Sequence, residues 1–298
     1  MPSGTESTER SVSETPTVTK SLAFSYRLNE PDTVILLPVS LTEISGLSPA
    51  SDGRFLLANN DEQGKIFYLD KESGEVVREL ILGGQADFEG IEMAGELIFL
   101  AQSNGNIHEV EITGTGNLRT TLHKTHLKSE NDIEGLGYDP ANHRLLLACK
   151  GKAGKGVGYK RKRAIYAFDL NQQKLKDDPV FLIDRDEIQK WADEGKNGLT
   201  KKLAEFFEPS LADDAFAPSG IAVHPLTGEI YVLSSVGKIL VVLDSTGSIL
   251  HIEPLDPGLH RQPEGICFDR DGTLFISNEG KGGSGKLMRF KASGQTVN

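Results

Sequence analysis

Cysteine is all but missing from this chain. Cys149 and Cys267 are the only two in 298 residues, each set in an apolar run (LLLAC, GICF). A disulfide framework is therefore not the basis of stability, and both read as buried thiols. Long apolar runs are missing too: VILLPV at 34–39 and ILVVL at 239–243 have strand length, far below the roughly 18 residues of a membrane span. Positive charge is in deficit, with 32 Lys and Arg against 43 Asp and Glu and a net charge of −11. Such a surface repels nucleic acid and anionic lipid and favours metal cations or basic ligands. Residues 1–21, rich in Ser, Thr and Glu, carry no apolar stretch of the kind a signal peptide or anchor needs. They are expected to form a disordered tail ahead of one domain at 22–298. The chain as given is expected to be soluble and monomeric, and cytoplasmic unless an upstream leader sends it to the periplasm or cell envelope.

Common catalytic signatures are absent as well. The seven histidines show no HExxH or paired ligand spacing, and no serine lies in a G-x-S-x-G context. The segment GKAGKGVGYKRKR at 151–163 invites a nucleotide reading. It fails as a P-loop, because Val157 and Gly158 stand where Lys and Ser or Thr are required. It reads instead as a solvated loop whose basic end could dock on the acidic body of the same molecule or meet an anionic partner.

What the sequence does contain is a repeat. A short signature recurs five times, as ISGL at 44–47, FEGI at 88–91, IEGL at 133–136, PSGI at 218–221 and PEGI at 263–266. Its glycines, Gly46, Gly90, Gly135, Gly220 and Gly265, stand 44, 45, 85 and 45 residues apart. A period near 45 suits a four-stranded propeller blade, with one expanded unit. After each glycine come short β-branched segments separated by turn residues, clearest in SGIAVHP, EIYVLSS, KILVVLD and SILHIEPL. The pattern predicts an all-β, five-bladed β-propeller, a six-bladed one being the alternative. The signature glycines read as structural, placed where the innermost strands crowd the axis.

The third unit has four strand candidates and then an excess at 185–217, where DRDEIQKWADEG and LTKKLAEFFEP have helical apolar spacing. This predicts a helical insertion with Trp191, Phe206 and Phe207 packed on the propeller. The last unit holds only three strands, so DTVILLPV at 32–39 is expected to supply its fourth and to close the ring without an exposed sheet edge.

The DxEGI/L-type first strands, the opening LTEISGL with GRFLLANNDEQGKIFYLD, and the closing QPEGICFDRDGTLFISNEG resemble the SdiA-regulated, YjiK-like group of bacterial propellers. That group is distantly similar to NHL-repeat proteins. The resemblance spans about residues 22–290 and implies a five-bladed propeller with a bound calcium ion and no assigned chemistry. The insertion and the lack of an N-terminal anchor depart from it.

Two groups of residues are candidates for binding. The position before each signature glycine is Ser45, Glu89, Glu134, Ser219 or Glu264, which sets three carboxylates in equivalent places around the axis. Close like charges call for a cation, and an all-oxygen set suits calcium better than zinc. Salt bridges to basic partners are the competing account. The ends of the second strands supply Asn60, Asp61, Gln102, Asn104, Lys150, Ser234, Asn278 and Glu279. These loops gather at one mouth, where Asn60, Asp61, Asn104, Asn278 and Glu279 could complete a calcium shell or hold an unknown polar ligand, unless they serve only turn chemistry. The expected function is a calcium-binding, non-catalytic module; the alternative is a calcium-dependent hydrolase of lactonase or phytase type, for which fold analogy is the sole warrant.

Overall fold

A computed structural model describes residues 24–83, 87–193 and 216–293. Twenty-one strands, one α-helix and two short 3-10 turns follow one another along these residues. Strand β1 (Thr33–Leu36) precedes the first blade, which contains β2 (Ile44–Pro49), β3 (Phe55–Asn60), β4 (Lys65–Asp70) and β5 (Val76–Ile81). The second holds β6 (Phe88–Ala94), β7 (Leu97–Gln102), β8 (Ile107–Ile112) and β9 (Leu118–His123). The third is built from β10 (Ile133–Asp139), β11 (Arg144–Cys149), β12 (Lys162–Asp169), β13 (Lys174–Leu175) and β14 (Phe181–Asp184), and helix α1 (Arg185–Asp193) follows it. The fourth contains β15 (Ala217–Val223), β16 (Ile230–Val236), β17 (Ile239–Leu243) and β18 (Ile249–Pro254). The last has β19 (Pro263–Phe268), β20 (Leu274–Asn278) and β21 (Lys286–Phe290).

Neighbouring blades cover both faces of the strands that are not outermost, which therefore read as unbroken apolar runs; all five residues of β17 (ILVVL), third from the axis, are buried. The outer strands face solvent and turn polar, as in β9 (LRTTLH). The five hydrophobic clusters each lie between adjacent sheets, one to a seam; the one holding Leu146, Ile165, Ile221 and Val232 joins the third blade to the fourth.

The ring closes as expected, on five blades and not six. Strand β1 pairs antiparallel with β21, Thr33 opposite Arg289 and Leu36 opposite Lys286, so the N-terminal segment supplies the outer strand of the last sheet. At the axis the signature glycines close a second circuit. A Cβ on Gly46 would lie 2.7 Å from Ile91 N, one on Gly90 2.9 Å from Leu136 N, and one on Gly135 3.0 Å from Ile221 N. One on Gly220 would lie 2.5 Å from Glu264 O, and one on Gly265 2.8 Å from Leu47 Cβ. Each glycine thus rests against the first strand of the next blade, a close approach that no side chain permits.

The outer strand of the third blade is split: β12 pairs with β13 at one end and with β14 at the other. The insertion begins as helix α1, where Ile188 is buried and Trp191 packs against the cluster between the third and fourth blades, its ring edge-on to His251 at 5.7 Å. Phe206 and Phe207, with the second helical segment, lie outside the described residues, as does the tail at 1–21. The basic loop docks on its own molecule: Arg161 pairs with Asp186 at 2.6 Å and Lys162 with Asp184 at 3.8 Å. Ahead of β1, Tyr26 and Leu28 fill the seam between the fourth and last blades and are almost wholly buried.

Candidate functional site

All five inner strands slip register at the signature: between Ile44 and Leu47, Phe88 and Gly90, Ile133 and Gly135, Pro218 and Gly220, and Pro263 and Ile266. A bulge takes a residue out of the ladder and re-aims its side chain. Here the residues so freed are Ser45, Glu89, Glu134, Ser219 and Glu264, and all five line one axial space of about 180 Å³, part of it open solvent. The bulge also leaves backbone N–H groups to satisfy. Asn59 Oδ1 accepts Gly46 N–H at 3.1 Å, and Ser277 Oγ accepts Gly265 N–H at 3.0 Å.

Beyond the bulges, in the second, third and last blades, a backbone hydrogen bond ties the end of the second strand to the residue three before the glycine. Ser103 N–H donates to Asp87 O, Lys150 N–H to Asp132 O, and Glu279 N–H to Gln262 O. The strand-end residues therefore stand at the same mouth as the axial carboxylates. Sequence reading overlooked the residues at this third position, Glu43, Asp87 and Asp132, although the same repeat aligns them in EISG, DFEG and DIEG. They enlarge the negative charge of the mouth.

The carboxyls feel one another. Burial pushes Glu89 up to about 9, with Glu134 and Asp87 adding to it. Glu264, only 5% exposed, is pushed up to about 8 by burial and then by Glu134 and Glu279. Glu279 rises to about 7 through burial, Glu43 and Asp61. Asp61 is raised by burial, its own backbone N–H opposing and Glu43, Glu62 and Asp87 adding. Burial raises Glu134 as well, but Lys150 works against it, its Nζ donating to Glu134 Oε1 at 3.1 Å.

Several buried polar atoms at this mouth have no protein partner: Glu264 Oε2, Asp61 Oδ1, and both amide atoms of Asn278, a residue 1% exposed. Asn60 and Asn104 differ. Asn60 donates to Ser40 O at 3.0 Å and accepts Gln63 N–H at 3.0 Å, while Asn104 accepts Asn106 N–H at 2.9 Å. Asn60 thus braces its own turn and ties it to Ser40, and Asn104 folds its own turn, whereas Asp61, Asn278 and Glu279 stand with the acidic ring. Among the described residues, no three His, Cys, Asp or Glu side chains are gathered closely enough to hold a metal ion as they stand.

A second axial layer lies two residues after each glycine and holds Ser48, Glu92, Gly137, Ala222 and Cys267. Glu92 is buried there and accepts three hydrogen bonds, from Ser48 Oγ at 2.5 Å, Met93 N–H at 2.9 Å and Tyr138 N–H at 3.1 Å. Burial pushes its pKa up to about 7 against the pull of those donors. Sequence reading missed this residue, although the repeat spacing marks it.

The sequence model of the SdiA-regulated family matches residues 36–281. No curated protein sequence matches significantly. Among solved structures, a glutaminyl cyclase from Myxococcus xanthus superimposes with a TM-score of 0.56 at 13% identity, covering 89% of this chain and 96% of that one. A PQQ-bound aldose sugar dehydrogenase from Streptomyces coelicolor gives a TM-score of 0.49 at 13% identity, with coverage of 88% and 99%. At such identities the likeness is one of fold alone.

Proposed function

This chain belongs to the SdiA-regulated family, and we propose that its axial mouth is a calcium-dependent, non-catalytic binding site. The observation that carries the reading is Glu264, which lines the axial space and keeps a buried Oε2 without a hydrogen bond, although the Gln262 side chain bonds its carboxyl group. A buried carboxylate oxygen in that position calls for a proton or a cation. The donors fit calcium: carboxylates of Glu89, Glu134 and Glu264, with Asp61, Glu279 and the Asn278 amide oxygen at the rim, are hard oxygen ligands, and no His or Cys stands among them. Calcium would supply the positive charge that draws them together and a coordination position for a polar ligand at the mouth.

Thermal melts test this. Calcium should raise the melting temperature of the wild type, and chelator should lower it, by mass action on the folded state. The double change Glu89→Gln with Glu264→Gln should abolish the shift and make the chelated protein at least as stable as the wild type. A wild type indifferent to millimolar calcium ends the reading. Turnover of lactones or phosphoesters by the calcium-loaded protein would replace the binding role with a hydrolytic one.

A further inference from the structure

The mouth contains a cation of its own. Lys150 follows β11 at the place where the second blade carries Ser103 and the last carries Glu279, as the shared backbone bonds to Asp132, Asp87 and Gln262 establish. Its ammonium lies 3.1 Å from Glu134 Oε1. Burial works against the charge on Lys150, yet Glu134, Glu264 and Asp132 outweigh it and raise its pKa. Lys150 also opposes the upward shift of Glu264, and so acts on two of the three axial carboxylates.

The other basic groups nearby do not share this role. Lys238 donates its Nζ to Ser235 O at 2.5 Å, and burial lowers its pKa with Glu264 only partly opposing. Lys281 acts on Glu279, at the rim. Glu89 has no basic group among the causes of its shift.

We propose that Lys150 is a tethered counter-ion that competes with calcium for Glu134. The proposal rests on the calcium reading above and adds what regulates it. An arriving divalent ion must either displace the ammonium from Glu134 or bind beside a like charge, and both weaken binding. In the metal-free state the same ammonium relieves the repulsion within the ring. Lys150 therefore trades calcium affinity for stability of the empty mouth.

Calorimetric titration of calcium into the wild type, Lys150→Met and Lys150→Arg decides the matter. Lys150→Met should bind calcium roughly tenfold tighter or more. It should also melt below the wild type in chelator, while Lys150→Arg, which keeps the charge, stays near the wild type in both. Should Lys150→Met fail to fold, Lys150→Gln answers the same question. Equal or weaker calcium binding by the neutral variant overturns the counter-ion and leaves the calcium site standing. No calcium binding by any of the proteins overturns both.

Discussion

The backbone N–H of Tyr138, on the first strand of the third blade, donates to the carboxylate of Glu92, on the first strand of the second, at 3.1 Å. Ser48 of the first blade donates to the other oxygen of the same group at 2.5 Å. One buried carboxylate thus fastens three consecutive blades at the axis. All three of its partners are donors, so an amide in its place turns an N–H₂ toward N–H. Glu92→Ala should cost about 2–4 kcal/mol, because it leaves those buried donors unmet, and Glu92→Gln somewhat less. Urea unfolding checks this; a change below about 0.5 kcal/mol for Glu92→Ala would show that the three bonds contribute nothing net.

The glycine circuit makes a steric prediction. A methyl on Gly90 would meet Leu136 Cβ at 2.8 Å and Leu136 N at 2.9 Å, both on a first strand that cannot withdraw without opening the ring. Gly90→Ala should therefore destabilise by about 1–3 kcal/mol. Gly114→Ala, where a methyl meets nothing within 4 Å, serves as the control and should stay within about 0.5 kcal/mol.

Truncation from the N-terminus should fall in steps. Beginning the chain at Phe24 should leave the melting temperature unchanged. Beginning it at Pro31 removes Leu28, fully buried, and Tyr26, whose hydroxyl donates to Gly272 O at 2.5 Å; burial of such a pair is worth about 1.5–3 kcal/mol each. Beginning at Pro38 also deletes β1 and exposes the edge of β21, and should unfold the ring. Melting curves for the three proteins give the order, and equal stability of the last two would remove the role of strand closure.

The axial acids make the metal-free protein sensitive to base. Glu89 and Glu264 have folded pKa values near 9 and 8, raised from 4.5. The folded state thus holds more protons than the unfolded one between these values, so their contribution to stability is complete below pH 4.5 and is lost as pH rises through 8 to 9. Calcium needs the deprotonated groups, so its affinity should climb over the same interval. Melts in chelator and calcium titrations across that range report the two trends, and a calcium affinity independent of pH would exclude these carboxylates as ligands.

Much of this molecule was legible from local pattern. Spacing of the five glycines specifies the number of blades, and the three-strand last unit together with DTVILLPV specifies how the ring closes, because four-stranded sheets and paired edges are requirements the chain must meet everywhere. The placement of Glu89, Glu134 and Glu264 at equivalent positions follows from the same repeat. The pattern does not carry the direction in which a side chain leaves a strand. The bulge before each glycine, visible only when strands pair, turns those acids to the axis, and the alternation it breaks hides Glu92 two residues after Gly90.

The pairing of charges was decided in three dimensions as well. Lys150 and Glu134 are separated by sixteen residues and meet because β10 and β11 are antiparallel neighbours. Asn60 and Asn278 occupy corresponding strand ends, yet one is spent on its own turn and on Ser40 and the other is left with an unpaired amide. Repetition in sequence sets which residues are equivalent, since each blade must solve the same backbone problem. Which of those equivalents has a partner depends on the neighbouring blade, and the blades differ.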